Sequence, residues 1–208
     1  MKTKTDFRTQ KNEITVSIIA GKLKNKRIFL PDTPLTRPSK SIVRGSIFDT
    51  LQEDVRNHTF IEMFAGSGSI GFEALSRGVD EVIFMEKEEI PLKILKTNSN
   101  ILVKTEIIKK EQINIIFGDS FLNLSTALKN AKSQVILYLD PPFSIRENME
   151  NIYTNLFKVL ENLTEIEKQK IDLIILEHLT LEQAPKSLAE KELIKNKKFG
   201  KTTISYFI

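Results

Sequence analysis

A short motif, Leu139-Asp-Pro-Pro-Phe143, follows an apolar run that predicts a buried strand. Its two prolines stiffen the chain and lack backbone N–H groups, so the carbonyls of Asp140 and Pro141 are expected to face the site as acceptors. With the Asp140 carboxylate, they suit an amino group that carries two hydrogens. Phe143, after Pro142, offers a face on which an extruded base can stack. Taken alone, the motif also fits an ordinary strand-to-helix turn.

A glycine-rich segment, Glu62-Met-Phe-Ala-Gly-Ser-Gly-Ser-Ile-Gly71, joins a predicted strand to a predicted helix. Gly66 and Gly68 permit a tight turn and a close approach to a ligand, and Gly71 permits close helix packing. A nucleotide-like ligand is therefore expected, although this spacing also fits a nicotinamide dinucleotide or a structural turn. The further residues of this segment expected to contact the ligand are Phe64 and Ser67.

Three acids at the ends of predicted strands narrow the choice of ligand. Glu62 precedes the glycines, where a carboxylate attracts an ammonium group and repels a phosphate. Glu86 closes the next strand, where an acid can accept hydrogen bonds from both ribose hydroxyls. S-adenosylmethionine has an ammonium group, a ribose and no phosphate, so the two acids favour it. Asp119, after the third strand, can accept from the adenine amino group, cap the following helix, or do both.

The predicted chemistry is an in-line displacement in which a base nitrogen attacks the sulfonium methyl group of S-adenosylmethionine. Acceptors at Asp140 and Pro141 would favour the positive charge that develops on the nitrogen. The two histidines, His58 and His178, complete no triad or metal set. For His178, which follows Glu177, a place on the substrate side is the alternative to our interpretation as a loop residue. The sequence has no Cys, which excludes thiolate chemistry and fits a reducing cytoplasm. No metal is expected.

Charge is distributed unevenly along the 208 residues. Residues 1–44 carry eleven Lys or Arg against three acids, whereas residues 45–208 carry twenty against twenty-four. A basic segment on a mildly acidic body is typical of an enzyme that holds a polyanion. A solvated tail is the alternative, but apolar residues at strand-like spacing favour a folded segment. The candidate RNA contacts are Lys22, Lys24, Lys26, Arg27, Arg37 and Arg44.

The elements that would position these residues alternate along the chain. Runs at 14–20 and 26–30 predict a β-hairpin, and a helix with Ile42 on its apolar face is expected to end near Leu51. Apolar strands then alternate with helices, which predicts a parallel sheet covered on both faces. The predicted strands are 59–64, 81–85, 113–117, 135–139 and 173–176, and the predicted helices are 69–77, 88–99, 120–130 and 146–162.

The C-terminal residues break this alternation, because runs at 193–199 and 202–208 predict an antiparallel hairpin. A mostly parallel sheet that ends in such a hairpin is typical of the Rossmann-like fold of class I S-adenosylmethionine-dependent methyltransferases. We predict this fold for residues 41–208, preceded by a basic extension with a small β-hairpin at residues 1–40. The charge run Lys195-Asn-Lys-Lys198 is interpreted as a solvated strand end. The polar N-terminus and strand-sized apolar runs predict no membrane segment.

Together, several motifs resemble the RsmD family of 16S rRNA guanine-N2 methyltransferases over nearly the whole chain. The motifs are Ser17-Ile-Ile-Ala-Gly-Lys22, Thr36-Arg-Pro38, Arg44-x-x-Ile-Phe48, Phe64-Ala-Gly-Ser-Gly68, Glu73-Ala-Leu-Ser-Arg-Gly78 and Asp140-Pro-Pro-Phe143. The resemblance implies methylation of the exocyclic N2 of guanine 966. It also implies a monomer whose partner is 16S rRNA in the small ribosomal subunit or its assembly intermediate. The sequence departs from the family pattern at Ser17, Gly45 and Glu62, where the family usually has Arg, Glu and Asp.

Three other functions are compatible with parts of this pattern. A DNA adenine-N6 methyltransferase could use the same acceptors, but 208 residues leave no room for a large target-recognition region. A nicotinamide oxidoreductase would not explain the Asp140-Pro-Pro-Phe143 motif. A non-catalytic ribosome-assembly factor would not need intact site residues.

Overall fold

Ten strands, six α-helices and two short 3-10 helices (Gln52–Val55 and Lys110–Gln112) form the described part of the chain, which is residues 14–31, 39–142 and 151–208 of a computed structural model. The strands are β1 (Thr15–Ser17), β2 (Arg27–Phe29), β3 (His58–Glu62), β4 (Glu81–Glu86), β5 (Ile113–Phe117), β6 (Gln134–Leu139), β7 (Ile171–Leu179), β8 (Ser187–Leu188), β9 (Lys191–Phe199) and β10 (Thr202–Phe207). The helices are α1 (Ser39–Leu51), α2 (Ser69–Arg77), α3 (Glu89–Val103), α4 (Ser120–Asn130), α5 (Ile152–Glu161) and α6 (Glu165–Lys170).

One mixed sheet has the strand order β5-β4-β3-β6-β7-β10-β9-β8. The first five strands in this order run parallel, and β10, β9 and β8 are joined by antiparallel pairings. The order reverses between β3 and β6, which is the switch point where open α/β sheets bind ligands. This arrangement agrees with the predicted mostly parallel sheet and C-terminal antiparallel hairpin.

Alternating side chains from the sheet enter two hydrophobic clusters, one on each face. In β6, for example, Ile136 and Tyr138 belong to one cluster, and Leu137 and Leu139 belong to the other. Helices α1, α2 and α3 cover the first face, and α4 and α5 cover the second. A strand whose residues are apolar on both sides is expected to be sandwiched in this way.

The N-terminal hairpin of β1 and β2 packs against helices α2 and α3, which cover the first face of the sheet. Ile18, Leu23 and Ile28 are buried in the same cluster as α1 and α2. Asn98 of α3 holds the hairpin through both of its amide atoms: Oδ1 accepts from the Phe29 amide (2.8 Å), and Nδ2 donates to the Phe29 carbonyl (2.9 Å). The hairpin therefore shares the main core, while the predicted division near residue 40 stays a prediction.

Several predicted elements differ from those in the structure. Ile42 lies on the solvent side of α1 and is 68% exposed, whereas Val43 and Ile47 are buried. Strand β7 is longer than predicted because β10 pairs with it as far as Leu179, so His178 lies within a strand and not in a loop. The predicted helix 146–162 is observed as α5, and its predicted start lies outside the described residues. Helix α6 and strand β8 were not predicted.

Two further findings apply to the described ranges. No helix there is long and apolar enough to cross a membrane. No group of three or more His, Asp or Glu side chains there is arranged to hold a metal ion.

Candidate active site

The five parallel strands end at one edge of the sheet, which we call the carboxyl edge. Register pairs the last residue of β3, Glu62, with Phe84 on one side and with Tyr138 on the other. On the outer side of β4, Glu86 pairs with Phe117. The residues that follow β3, β4, β5 and β6 therefore meet at this edge, and they include most of the predicted site.

The turn between β3 and α2 contains two glycines in the left-handed region, Gly66 (φ 54°) and Gly68 (φ 80°). A Cβ atom at Gly68 would lie 2.5 Å from the side chain of Leu95, so this position is sterically restricted to glycine. A Cβ atom at Gly66 would meet nothing within 4 Å, which leaves this side of the turn open to a ligand. The adjacent Ser67 is buried, and its carbonyl accepts from Asn98 Nδ2 at 2.9 Å.

Glu62 links the end of β3 to the first turn of α2. Its Oε2 accepts from the Gly71 amide at 2.9 Å, and the side chain is buried. A carboxylate at a helix N-terminus is favoured by the unpaired amides and the helix dipole. A Cβ atom at Gly71 would lie 2.4 Å from the ring of Phe84, which supports the predicted close packing of this helix on the sheet. The predicted contact of Glu62 with an ammonium group stays a prediction.

Glu86 organises the glycine turn from the neighbouring strand. Its Oε2 accepts from the Gly66 amide and its Oε1 from the Glu88 amide, both at 2.7 Å. Each carboxylate oxygen has two lone pairs, so these bonds leave acceptor capacity for ribose hydroxyls. This second, structural role of Glu86 was not predicted from the sequence.

Asp119 caps α4, which was one of its two predicted roles. Its Oδ1 accepts from the Phe121 amide at 2.8 Å, and the residue is exposed. Phe64, at the start of the glycine turn, packs edge-on against Phe121 with ring centroids 5.9 Å apart. Phe117 is 57% exposed and pairs in register with Glu86, so it adds an aromatic face beside the expected ribose position. Phe117 was not predicted as a site residue because it ends a mostly apolar strand and its sequence position gives no sign of exposure.

Asp140 directly follows Leu139, the last residue of β6, and therefore lies at the carboxyl edge. Asp140 is half-buried, Pro141 is buried and Pro142 is half-buried. Phe143 and the predicted stacking on its ring lie outside the described residues. Because β6 lies between β3 and β7 in the sheet, Asp140 lies at the carboxyl edge next to the end of β3, from which the glycine turn begins, and its predicted contact with the target amine stays a prediction.

Tyr138 and Glu177 form a buried polar pair at this edge that was not predicted. The Tyr138 hydroxyl donates to Glu177 Oε2 at 2.6 Å, and both side chains are at least 95% buried. Burial raises the pKa of Tyr138 well above its ordinary value, and the charges of Glu177, Asp140 and Glu62 raise that pKa further. Three carboxylates therefore lie around one neutral hydroxyl, on the side of the sheet that α1 covers.

A cleft opens beside the end of β7 and is lined partly by Tyr153, Leu176, His178 and Ala184. His178 Nδ1 donates to the Leu179 carbonyl at 2.9 Å, and its Nε2 lies within hydrogen-bond distance, 2.8 Å, of the Ser205 hydroxyl oxygen. Burial lowers the pKa of His178, which keeps the ring neutral. The Tyr153 hydroxyl is buried without a hydrogen-bond partner among the described residues.

Four of the predicted RNA contacts, Lys22, Lys24, Lys26 and Arg27, are exposed on the N-terminal hairpin. The hairpin tip is tied to the last turn of α2, because the Lys22 amide donates to the Ser76 carbonyl at 2.9 Å. Since α2 begins at the glycine turn and runs away from it, the tip lies about 13 Å from the carboxyl edge. Arg37, the fifth candidate, lies outside the described residues.

Arg44, the sixth candidate, is not a surface residue. Its side chain is 3% exposed, its Nη2 donates to the Ser17 carbonyl (2.8 Å), and its Nε lies 3.4 Å from Glu73 Oε2. Burial lowers the pKa of Arg44, and the charges of Glu73 and Glu62 oppose that effect. Arg44 therefore joins the hairpin to α2 and cannot contact RNA from this position. The predicted RNA contact of Arg44 is therefore wrong, and its ion pair with Glu73 was not predictable because the two residues lie 29 positions apart in the chain.

The chain is similar in sequence to a known protein family and to named relatives. The model of the family described as Conserved hypothetical protein 95 matches residues 16–208. The Haemophilus influenzae protein named Ribosomal RNA small subunit methyltransferase D is 32% identical over 128 residues, which are 62% of this chain and 64% of that protein. The chain thus aligns with slightly less than two thirds of that relative's length.

Two solved structures are similar to the fold. The yhhF protein of Escherichia coli matches with a TM-score of 0.70 at 22% identity, over 93% of this chain and 97% of that one. The rRNA methyltransferase aviRa of Streptomyces viridochromogenes matches with a TM-score of 0.56 at 14% identity, over 85% and 86% of the two chains. The fold is therefore the predicted Rossmann-like methyltransferase fold.

Proposed function

The chain belongs to the family described as Conserved hypothetical protein 95, the RsmD family, and we propose that it methylates the exocyclic N2 of a guanine in 16S rRNA, using S-adenosylmethionine. The observation that carries this proposal is the position of Asp140 beside the glycine turn at the carboxyl edge. The named Haemophilus influenzae relative supports rRNA of the small subunit as the substrate.

The residues around the glycine turn fit S-adenosylmethionine, which supplies an electrophilic methyl group when bound. The open side of Gly66 accommodates a ligand against the backbone. Glu86 has acceptor capacity for ribose hydroxyls, and Glu62 lies where a carboxylate attracts the ammonium group. Exposed Phe117 offers an aromatic face near the adenine, and Asp119 offers an acceptor for its amino group.

Asp140 is the residue proposed to act on the target amine. An exocyclic amine is a weak nucleophile because its lone pair is conjugated with the ring, and it becomes positively charged as it takes up a methyl group. A fixed carboxylate that accepts one of its hydrogens stabilises that developing charge more than it stabilises the bound substrate. The nitrogen then loses a proton, and Asp140 or water accepts it.

The guanine assignment rests on the resemblance to the RsmD family and on this acceptor at the edge of the sheet. The exposed basic residues Lys22, Lys24, Lys26 and Arg27 would hold parts of the rRNA or its particle that lie away from the target base. Their distance from the carboxyl edge suits a large substrate that extends over the surface.

Labelled methyl transfer provides the test of this function. The wild-type protein and S-adenosylmethionine with a tritiated methyl group are incubated with small-subunit particles from a strain that lacks the enzyme, with free 16S rRNA, and with DNA. We expect label in 16S rRNA, recovered as N2-methylguanosine after digestion. Label recovered as N6-methyladenine in DNA would replace the guanine assignment, and no transfer to any of the three would contradict the proposal.

A further inference from the structure

The tip of the C-terminal hairpin, formed by the end of β9, the turn at Gly200 and the start of β10, lies at the same edge of the sheet as Asp140. Register pairs His178 of β7 with Thr203 of β10, and Thr203 with Lys198 of β9. Leu139, which precedes Asp140, pairs with Leu176, two residues before His178. Three inter-strand spacings separate β6 from β9, so the tip lies about 15 Å from Asp140.

The end of β7 fixes the position of this tip. The Thr180 amide donates to the Lys201 carbonyl (2.9 Å), and the Thr180 hydroxyl donates to the Gly200 carbonyl (3.1 Å). Thr180 and Thr203 also share a hydrogen bond between their hydroxyls at 3.0 Å. These three hydrogen bonds fix the backbone of the tip relative to the end of β7.

Lys198 and Lys201 project from this tip with their charges accessible. Both are exposed, and within the described ranges neither side chain forms an ion pair or a hydrogen bond. Lys197 differs, because it is half-buried on the opposite face of the sheet and its Nζ donates to Thr50 Oγ1 at 2.6 Å. In β9, Lys197 therefore holds α1, whereas Lys198 of the same strand and Lys201 of the following turn stay exposed at the carboxyl edge.

We propose that Lys198 and Lys201 bind the phosphate backbone of the RNA strand next to the target nucleotide, an inference that rests on the proposed rRNA methyltransferase function. When the target base is held at Asp140, phosphates of neighbouring nucleotides can reach two cations that lie about 15 Å away. The N-terminal hairpin tip lies at the other end of α2, so it cannot hold the backbone at that point. The two hairpins would hold separate parts of the substrate.

Protection of an edge strand is the alternative role for these lysines, because charged side chains on an exposed edge prevent pairing with other chains. The two roles differ in their consequences. Lysines that only protect the edge affect aggregation and leave RNA affinity unchanged. Lysines that bind phosphates affect RNA affinity and its dependence on salt.

Substitution of both lysines tests the inference. The double variant Lys198→Gln, Lys201→Gln is compared with wild type and with a control of equal charge change, Lys104→Gln, Lys110→Gln. Lys104 follows α3 and Lys110 precedes β5, so the two control lysines are exposed at the opposite edge of the sheet. The measured quantities are the rRNA dissociation constant between 50 and 300 mM salt, the S-adenosylmethionine dissociation constant and methyl transfer.

We expect the Lys198 and Lys201 variant to bind rRNA about 5-fold to 25-fold more weakly near 0.1 M salt, for the loss of one or two phosphate contacts. Its log–log salt slope should be smaller by about 0.7 to 1.4, with S-adenosylmethionine affinity unchanged. The inference would be overturned if the Lys198 and Lys201 variant had the rRNA affinity and salt slope of wild type, or if the control variant lost the same affinity. In either case, methyl transfer to rRNA by the wild type would still support the proposed function. Absence of transfer by the wild type would overturn both.

Proximity can be measured directly because the 208-residue sequence contains no Cys. A chelated iron that generates hydroxyl radicals is tethered to Lys201→Cys, to Lys22→Cys and to Lys110→Cys in separate preparations. Strand breaks from position 201 are expected next to the methylated nucleotide, and breaks from position 22 at a separate place. Breaks from position 201 that fall elsewhere, or none, would contradict the inference even if the affinity result were positive.

Discussion

The Glu86 carboxylate accepts a 2.7 Å hydrogen bond from the Gly66 amide, and this bond connects the end of one strand to the ligand-facing turn that follows its neighbour. The glycine turn and the acidic residue are usually considered as separate contacts to a nucleotide. In this chain the acid also holds the turn in the conformation that leaves Gly66 open to a ligand. Cofactor binding and local stability are therefore coupled at Glu86.

The variant Glu86→Ala is predicted to lose both properties. Loss of acceptors for the ribose hydroxyls should raise the S-adenosylmethionine dissociation constant about tenfold or more, or roughly 1.5–3 kcal/mol. Two backbone amides would also lose their acceptor, so the free energy of unfolding should fall by about 1–3 kcal/mol. Calorimetric titration and urea denaturation measure these quantities. Glu88→Ala, an exposed acid on the same loop, is the control, and an unaltered isotherm for Glu86→Ala would exclude Glu86 from the cofactor site.

Alanine at two glycines should separate ligand binding from folding. Gly66→Ala places a Cβ in the open space of the turn, so cofactor affinity should fall at least tenfold while the left-handed backbone costs about 1–2 kcal/mol of stability. Gly71→Ala places a Cβ 2.4 Å from the Phe84 ring, so its main effect should be a loss of about 1–3 kcal/mol in unfolding free energy. Equal cofactor affinities for Gly66→Ala and wild type would show that the ligand does not approach this turn.

The alternation of strands and helices was predictable because each apolar run and each glycine or capping residue is a local signal. The turn at Gly66 and Gly68 and the position of Asp140 follow from the same signals, since parallel strands place their ends at one edge. Residue pairs between distant segments were not predictable. Tyr138 and Glu177, which lie 39 positions apart, meet only because β6 and β7 are neighbours in the sheet.

Arg44 and α6 illustrate two different reasons for failure. Arginine is usually exposed, and only the packing of α1 against α2 and the hairpin buries Arg44 beside Glu73. Helix α6 is short and polar, and its Ile166 is 80% exposed, so it has no apolar periodicity. Its one local signal is the capping box in which Thr164 and Glu167 bond to each other's backbone amides. A capping box without an apolar run beside it is a weak signal for a helix of six residues.

Glu73 is predicted to be essential for the attachment of the N-terminal hairpin. Its buried carboxylate accepts from the Ile19 amide (2.8 Å) and the Ala20 amide (3.0 Å), and it pairs with Arg44. Glu73→Ala leaves a buried guanidinium without its partner, so urea denaturation should show a loss of about 3–5 kcal/mol. Glu89→Ala, which breaks an exposed pair with Lys93, should cost less than about 1 kcal/mol. Similar losses in the two variants would contradict the clamping role of Glu73.

Acid stability should depend on Glu167. Hydrogen bonds from the Ser125 hydroxyl and the Thr164 amide lower the pKa of Glu167 from 4.5 to about 2. A carboxyl group with a lowered pKa in the folded state contributes stability above pH 4.5, and this contribution is lost as the pH falls from 4.5 towards 2. Glu167→Gln should therefore be less stable than wild type at pH 6, with a smaller difference near pH 2. The exposed Glu165→Gln serves as control, and a difference that is constant with pH would contradict this account.

Asp140→Ala tests the proposed catalytic role most directly, through the single-turnover rate of methyl transfer and the S-adenosylmethionine dissociation constant of the same folded variant. The substrate is small-subunit particles from a strain that lacks the enzyme. Loss of one preorganised acceptor at the reacting nitrogen should slow transfer by a factor of about 10² or more, while cofactor affinity stays within about twofold of wild type. Near-normal transfer would remove Asp140 from the mechanism, and an equal loss of cofactor affinity would assign it to the cofactor site.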